Sequence, residues 1–378
     1  MYKSKIILAT DSFKGSINSL EICDIMTNYM SKNYPRYTPE PLPVSDGGEG
    51  FLDILAENLN LELITEIVTG PLGQNIEAKF GIKGNTAYLE MAQSSGLQKI
   101  NKEQQNPLHT TTYGLGELIN AAINQGANEF VLGIGGSATC DGGAGMAQAL
   151  GTHFIDKDGN RIEKSMTNTL LKNLEKINLQ TMQKTINNCT FQVACDVNNP
   201  LLGKNGAIYT YAPQKGAREQ DLSQMEKNMK NLNRIIEKQL HKSVKNIPGA
   251  GAAGGLGAGL VAFLDANLKS GSKYILDILN FPNKIKDALA IITGEGQLDT
   301  QTEKGKIVSE IIKLGNQNNS PVYLLCGSSK FNTFTGVENI IPLNKYAETT
   351  KTIKNPTRYL EIGLDEIMQD IECKSKKR

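Results

Sequence analysis

The sequence predicts a soluble α/β protein of two domains. Its 378 residues exceed what one hydrophobic core ordinarily organises. Short apolar runs break repeatedly into glycine- and acid-bearing turns, each followed by helical periodicity. In open α/β sheets, ligands collect at such strand ends. A hydrophobic share of 39% with 21% charge fits a globular chain. The 37 glycines are clustered, which marks ligand loops more than general flexibility.

The densest cluster is residues 130–151, FVLGIGGSATCDGGAGMAQALG, with seven glycines from Gly133 to Gly151. It reads as a strand, a glycine turn and a helix, an arrangement that offers free N–H groups to an anion at the helix start. Gly135, Gly136, Ser137 and Thr139 are the candidate phosphate contacts. Asp141 adds a carboxylate for a magnesium ion or a substrate hydroxyl.

From the amino end, residues 5–10 form a buried-type strand that stops at Asp11, Ser12 and Lys14, ahead of a helix over 19–30. The run Ser45-Asp46-Gly47-Gly48-Glu49-Gly50 then sets two carboxylates in a glycine turn before another helix. Strands follow at 62–68, 76–80 and 86–91. The hydroxyl run at 110–112 suits either a helix cap or an anion. A strand over 191–195 ends in Asp196 and Asn198, and Lys215 stands in PQKGA, in reach of a phosphate. The lysine-rich helix expected over 220–240 reads as a solvated face. Residues 248–259, PGAGAAGGLGAG, form a second candidate phosphate loop through Gly251, Gly254 and Gly255. A strand over 288–292 leads to Glu295 and Asp299, with Lys306 beyond.

A net charge of +1 gives no reason to expect nucleic acid or an anionic membrane as partner. No apolar run approaches the ~18 residues of a membrane span, and no signal peptide is visible. The six cysteines are scattered without a CxxC pair, as in a reduced cytoplasmic protein. Residues 133–138 fit GxGxx(G/A), and Asp156 lies about twenty residues on, as a dinucleotide fold would have it. The acids weigh against hydride transfer. Asp11, Asp46, Glu49, Asp141, Asp196, Glu295 and Asp299 suit magnesium and a hydroxyl beside phosphates, with Lys14, Lys215 and Lys306 offsetting phosphate charge. No Walker A loop and no protein-kinase catalytic loop is present.

The motifs DSFKGS (11–16), SDGGEG (45–50), TGPLG (69–73), GIGGSATCDGGAG (133–145), ACDVNNPLLG (194–203), PQKGA (213–217), PGAGAAGGLGAG (248–259) and TGEGQLDTQTEKGK (293–306) occur in order over nearly the whole chain. Together they resemble the bacterial glycerate kinases of type 1. Ser45, Phe51 and Cys140 depart from the usual alanine, threonine and asparagine, and Cys140, beside the phosphate loop, is expected to shift nucleotide affinity. The resemblance implies ATP- and Mg²⁺-dependent phosphorylation of D-glycerate, at the 2-hydroxyl. Glycerate and ATP are expected to meet in a cleft between two domains of a monomer or homodimer. It further implies a Rossmann-like parallel-sheet domain made from both chain ends, with a second α/β domain inserted. The boundaries are expected at 1–80 plus 286–378, and 81–285. Asp46 or Asp196 would orient and deprotonate the acceptor hydroxyl. Lys14 and Ser12, with Asp11, Glu49 and Asn198, would meet the substrate, and Glu295, Asp299 and Asp141 the metal.

Overall fold

The computed structural model describes residues 4–298 and 307–375. Asp299 and Lys306 lie outside them. The strands of the two main sheets are β1 (Ser4–Thr10), β2 (Tyr37–Pro41), β3 (Glu62–Thr69), β4 (Asn75–Lys83), β5 (Thr86–Glu90), β6 (Glu129–Gly133), β7 (Thr190–Ala194), β8 (Asn267–Lys269), β9 (Ala290–Gly294), β10 (Val322–Cys326) and β11 (Asn339–Pro342). The helices used below are α1 (Ser19–Asn33), α2 (Phe51–Leu59), α3 (Tyr113–Asn124), α4 (Ala144–Ala149), α5 (Glu219–Ile235), α6 (Ala252–Leu264), α7 (Ile307–Gln317) and α8 (Pro356–Ser375).

The chain forms two compact units, residues 1–54 with 271–378, and residues 55–270. The first therefore draws on both chain ends. The sequence-based boundaries fell at 80/81 and 285/286. The units instead divide at 54/55, inside α2, and at 270/271. The hairpin β3–β4 pairs edge to edge with β5, so it goes with the sheet of the second unit.

In the first unit five strands run in the order β11-β10-β9-β1-β2, every pair parallel. Such a sheet is covered on both faces, so its strands read as continuous apolar runs. Ile6, Leu8, Ile292, Tyr323 and Leu325 meet Ile22 and Met26 of α1 and Leu360 and Leu364 of α8 on one face. On the other, α7 packs against β9 and β10. Pro39 and Pro41 withdraw two N–H donors from β2, which is tolerated because β2 is an edge strand. The chain winds outward from β1 to β2 on one side and from β9 to β11 on the other. Its switch point lies between β1 and β9, where Asp11 N donates to Gly294 O at 2.9 Å.

In the second unit the order is β8-β7-β6-β5-β4-β3, parallel from β8 to β5 and antiparallel from β5 to β3. Phe80, Leu89, Phe130, Leu132, Phe191 and Val193 form its core with Leu118 of α3 and Leu260 of α6. The expected helix 220–240 is α5 followed by a π-helical turn, Ile236–Leu240. Among the described residues no helix is long and apolar enough to cross a membrane, and the six cysteines are free thiols.

Phe130 and Phe191 stack across β6 and β7 with ring centroids 4.8 Å apart and planes at 20°, both buried. Phe130→Ala should therefore cost about 3–5 kcal/mol of stability, read as a fall in the denaturation midpoint. A loss under about 1 kcal/mol would show that the neighbours close the cavity.

Candidate active site

In the first unit the acids gather where β1 and β9 end side by side. Asp11 follows β1, is 5% exposed, and takes the amide of Ser12 on Oδ1 at 2.7 Å. The Ser12 hydroxyl is buried with no hydrogen-bond partner among the described residues. Ser19 Oγ donates to Thr10 O at 2.6 Å and accepts from Val44 N at 3.0 Å, which ties the strand end, the start of α1 and the turn carrying Asp46 together. Asp46 accepts from Gly48 N at 3.1 Å on one oxygen. Lys14 Nζ stands 3.4 Å from the other. Glu295 follows β9 and is 8% exposed. These groups act on one another. Burial, then the charge of Asp46, pushes the Asp11 carboxyl up to about 8, with Glu295 adding to the rise and Lys14 opposing it. The Asp46 charge in turn raises the exposed Lys14 ammonium, against a desolvation cost. Glu49, in contrast, is exposed.

In the second unit the glycine loop after β6 is held by its carbonyls. Gly136 O accepts from Leu97 N at 2.8 Å, Ala138 O from Thr110 Oγ1 at 2.9 Å, Thr139 O from Lys215 Nζ at 2.8 Å and Cys140 O from Asn168 Nδ2 at 3.0 Å. Ala138 N donates to Ser95 O at 2.9 Å. The amides of Gly135, Gly136, Ser137 and Thr139 have no acceptor among the described residues. The helix start is another matter. Asp141 is fully buried, and its carboxylate accepts from Thr112 N at 2.8 Å, Thr112 Oγ1 at 2.7 Å, and Gly143 N and Gly145 N at 3.2 Å. Thr112 Oγ1 accepts from Met146 N at 2.9 Å. Burial pushes the Asp141 pKa up while these donors hold it down. The amides expected to be free at the start of α4 are therefore filled from inside the chain. The hydroxyls at 110 and 112, read as cap or anion contact, brace this turn.

Lys215 ends a single 3-10 turn begun by Pro213. Gly216 closes the turn at φ +92, where a Cβ would also come within 2.2 Å of Gln105 O. That geometry buries Lys215 to 3% exposure and sets Nζ 2.5 Å from Ser137 Oγ. Burial lowers its pKa, opposed by Cys140 and Asp141. The second glycine loop packs against the first. Gly254, at φ +67, lies so near that a Cβ would come 1.9 Å from Thr139 O, and its own carbonyl accepts from Gly142 N at 3.2 Å. Gly251 and Gly255 likewise face protein atoms, Pro200 O and Leu201 Cδ1 first. Asp196, half-buried after β7, accepts from Ser270 Oγ at 2.8 Å, and Asn198 is exposed. Asp156, the ribose candidate of a dinucleotide fold, caps its own turn through Asp158 N and Asn160 N. Glu90, not among the expected site residues, is buried at the end of β5, paired with Gly133 of β6.

The model of the glycerate kinase family matches residues 6–372. The chain is 43% identical over 325 residues to a glycerate kinase of Halalkalibacterium halodurans, covering 85% of each. It is 41% identical over 326 residues to the glycerate 2-kinase of Escherichia coli K12, covering 86% of this chain and 85% of that one. This chain belongs to the glycerate kinase family. It is a phosphotransferase by that membership. A crystal structure of a Salmonella typhimurium LT2 protein, provisionally described as glycerate kinase 2, superposes with a TM-score of 0.79 at 34% identity, covering 99% of this chain and 100% of that one.

A family of phosphotransferases calls for a divalent cation. Among the described residues no three acid, histidine or cysteine side chains stand close enough to make a metal cage. Mg²⁺ ordinarily keeps several waters and takes one or two carboxylates with substrate phosphates. Glu295, in the oxygen-rich surroundings of Asp11, Asp46 and the unpartnered Ser12 hydroxyl, fits that mode. Asp141, with its four donors, does not.

The Asp11 carboxyl carries a pH signature. Between its ordinary value of 3.8 and about 8, the folded chain holds a proton that the unfolded chain has lost. Its contribution to stability is thus full below pH 4 and falls as pH rises towards 8. Asp11→Asn in EDTA should be more stable than the parent, by more at pH 8 than at pH 5. The slopes should differ by up to ~1.4 kcal/mol per pH unit. Equal slopes in urea melts would show that Asp11 is ionised in the folded protein.

Proposed function

We propose that the chain phosphorylates D-glycerate from Mg-ATP, at the 2-hydroxyl, giving 2-phosphoglycerate. The observation that carries the position of transfer is the 41% identity to the E. coli glycerate 2-kinase over most of both chains. Phosphoryl transfer asks the protein for position and charge, with little covalent chemistry of its own. Donors must meet the phosphate oxygens, a cation must neutralise charge, and an acid must orient the attacking hydroxyl.

Each requirement has residues that suit it. Gly135, Gly136, Ser137 and Thr139 would hold nucleotide phosphates through their unpaired amides, with Lys215 supplying charge. Gly251, Gly254 and Gly255 support this loop by packing behind it. Lys14 and Ser12 would take the glycerate carboxylate or the transferring phosphoryl group. Glu295 would hold Mg²⁺, directly or through water, and the ion would spread the charge developing on the phosphoryl oxygens. Asp196, half-buried at the end of β7 with Ser270 Oγ donating to its carboxylate at 2.8 Å, is the candidate for orienting and deprotonating the hydroxyl. Asp46, whose carboxylate stands 3.4 Å from the Lys14 ammonium, is the second candidate.

The test couples product to enolase, which consumes 2-phosphoglycerate and not the 3-phosphate. Phosphoenolpyruvate should form from D-glycerate and Mg-ATP without added mutase. ADP release that yields phosphoenolpyruvate only after mutase would make the product the 3-phosphate. Asp196→Asn should lower kcat by at least ~100-fold, the usual weight of a general base, with the fold intact by circular dichroism. Near-normal turnover would pass the role to Asp46.

A further inference from the structure

We infer that Ser270 is a positioning residue for the reaction, whose hydroxyl fixes the direction of the Asp196 carboxylate. This deepens the reading above and rests on it for the role of Asp196. Ser270 Oγ donates to Asp196 Oδ1 at 2.8 Å across 74 residues of sequence, and two parallel strands bring the pair together. β7 and β8 run in register, with Lys269 beside Ala194. One more ladder bond, from Cys195 N to Lys269 O at 2.8 Å, carries the pairing past the end of β7. The residues that come next, Asp196 and Ser270, therefore leave the sheet side by side, both half-buried.

β8 does little else. It is an edge strand of three residues, with Asn267 and Lys269 exposed and Leu268 half-buried, so the apolar area it covers is small. The backbone around Asp196 is held on both sides. Upstream, Cys195 N is bonded to Lys269 O. Downstream, Asn199 O accepts from Gly251 N at 2.9 Å. The Asn199 side chain donates to Asn205 O at 2.8 Å and accepts from Tyr211 Oη at 2.7 Å. A backbone fixed in this way still leaves the two side-chain torsions of Asp196 to be set, and the Ser270 hydroxyl restrains them. Reaction geometry is sensitive to a misplacement of about 1 Å, and a carboxylate that changes rotamer moves further than that.

The test is a double-mutant cycle in steady-state kinetics, on the full chain with D-glycerate and Mg-ATP. Ser270→Ala should lower kcat about 10-fold, the weight of one hydrogen bond to a charged group. The KM for glycerate should stay within about 2-fold of the parent, as for a group that acts on the transition state more than on binding. Ser270→Thr keeps the hydroxyl and should recover most of the turnover. Ser270→Cys offers a weaker donor and should fall between, which keeps the series readable if Ser270→Ala does not fold. In an Asp196→Asn background, Ser270→Ala should cost almost nothing more, because the group it acts through is gone. A serine that only supported the fold would cost the same factor in both backgrounds. That equal loss, or parental kcat in Ser270→Ala beside a disabled Asp196→Asn, would overturn the inference and leave Asp196 in its role. Near-normal turnover in Asp196→Asn alone would remove the base and this inference with it.

Discussion

The carboxylate of Asp141 governs how the glycine loop can be used. It lies in the interior of the second unit and draws four donors from two directions, the approach to α3 and the start of α4. A helix start left open would attract an anion from solvent. Here the chain supplies its own. The donors are spent, the turn from Cys140 to Gly145 is fixed, and the amides without an acceptor among the described residues lie upstream, at Gly135, Gly136, Ser137 and Thr139. Burial still raises the Asp141 pKa against these donors, and its charge opposes the lowering that burial imposes on Lys215.

Among the described residues, Asp11, Asp46 and Glu295 act on one another and on Lys14 at the strand ends of the first unit, and burial with the Asp46 charge raises the Asp11 carboxyl. At the loop of the second, donors outnumber acceptors and the charge is that of Lys215. A phosphotransferase needs both kinds of surroundings: oxygen ligands for a metal and a hydroxyl, and donors for phosphate oxygens. Burial raises the Asp11 carboxyl and lowers the Lys215 ammonium, so each charged form costs the fold something.

Much of this was legible in the sequence, because the relevant signals are local. Strands that stop at acids, glycine runs ahead of helices and the PQKGA turn all declare themselves within a few residues. The α/β class and the family followed from their order. What was hidden depends on partners far along the chain. Tyr37–Pro41 does not read as a strand because two prolines interrupt it. It forms one as an edge strand, where two missing N–H donors can face away from β1. The hairpin at 62–83 shows its own pairing but not which sheet it will extend. Asp141 looks like a metal ligand until Thr112, 29 residues away in sequence, takes it. Ser270 stands 74 residues from Asp196, and no spacing rule connects them. Glu90 ends a strand as the other acids do, but no glycine beside it drew attention.

Cys140 shows how the same distinction bears on affinity. Standing in the motif where asparagine is usual, beside the phosphate loop, it is expected to shift nucleotide affinity. Its carbonyl does belong to the loop and is held by Asn168. Its side chain, however, is fully buried in the apolar core of the second unit, and burial holds its thiol in the neutral form. An asparagine there would need partners for its amide beneath the loop, whereas a thiol behaves as a small apolar group. The departure therefore acts on packing under the turn and leaves the donors at 135–139 as they are. Any effect on nucleotide affinity has to pass through the position of Thr139 and Asp141, the residues on either side of it.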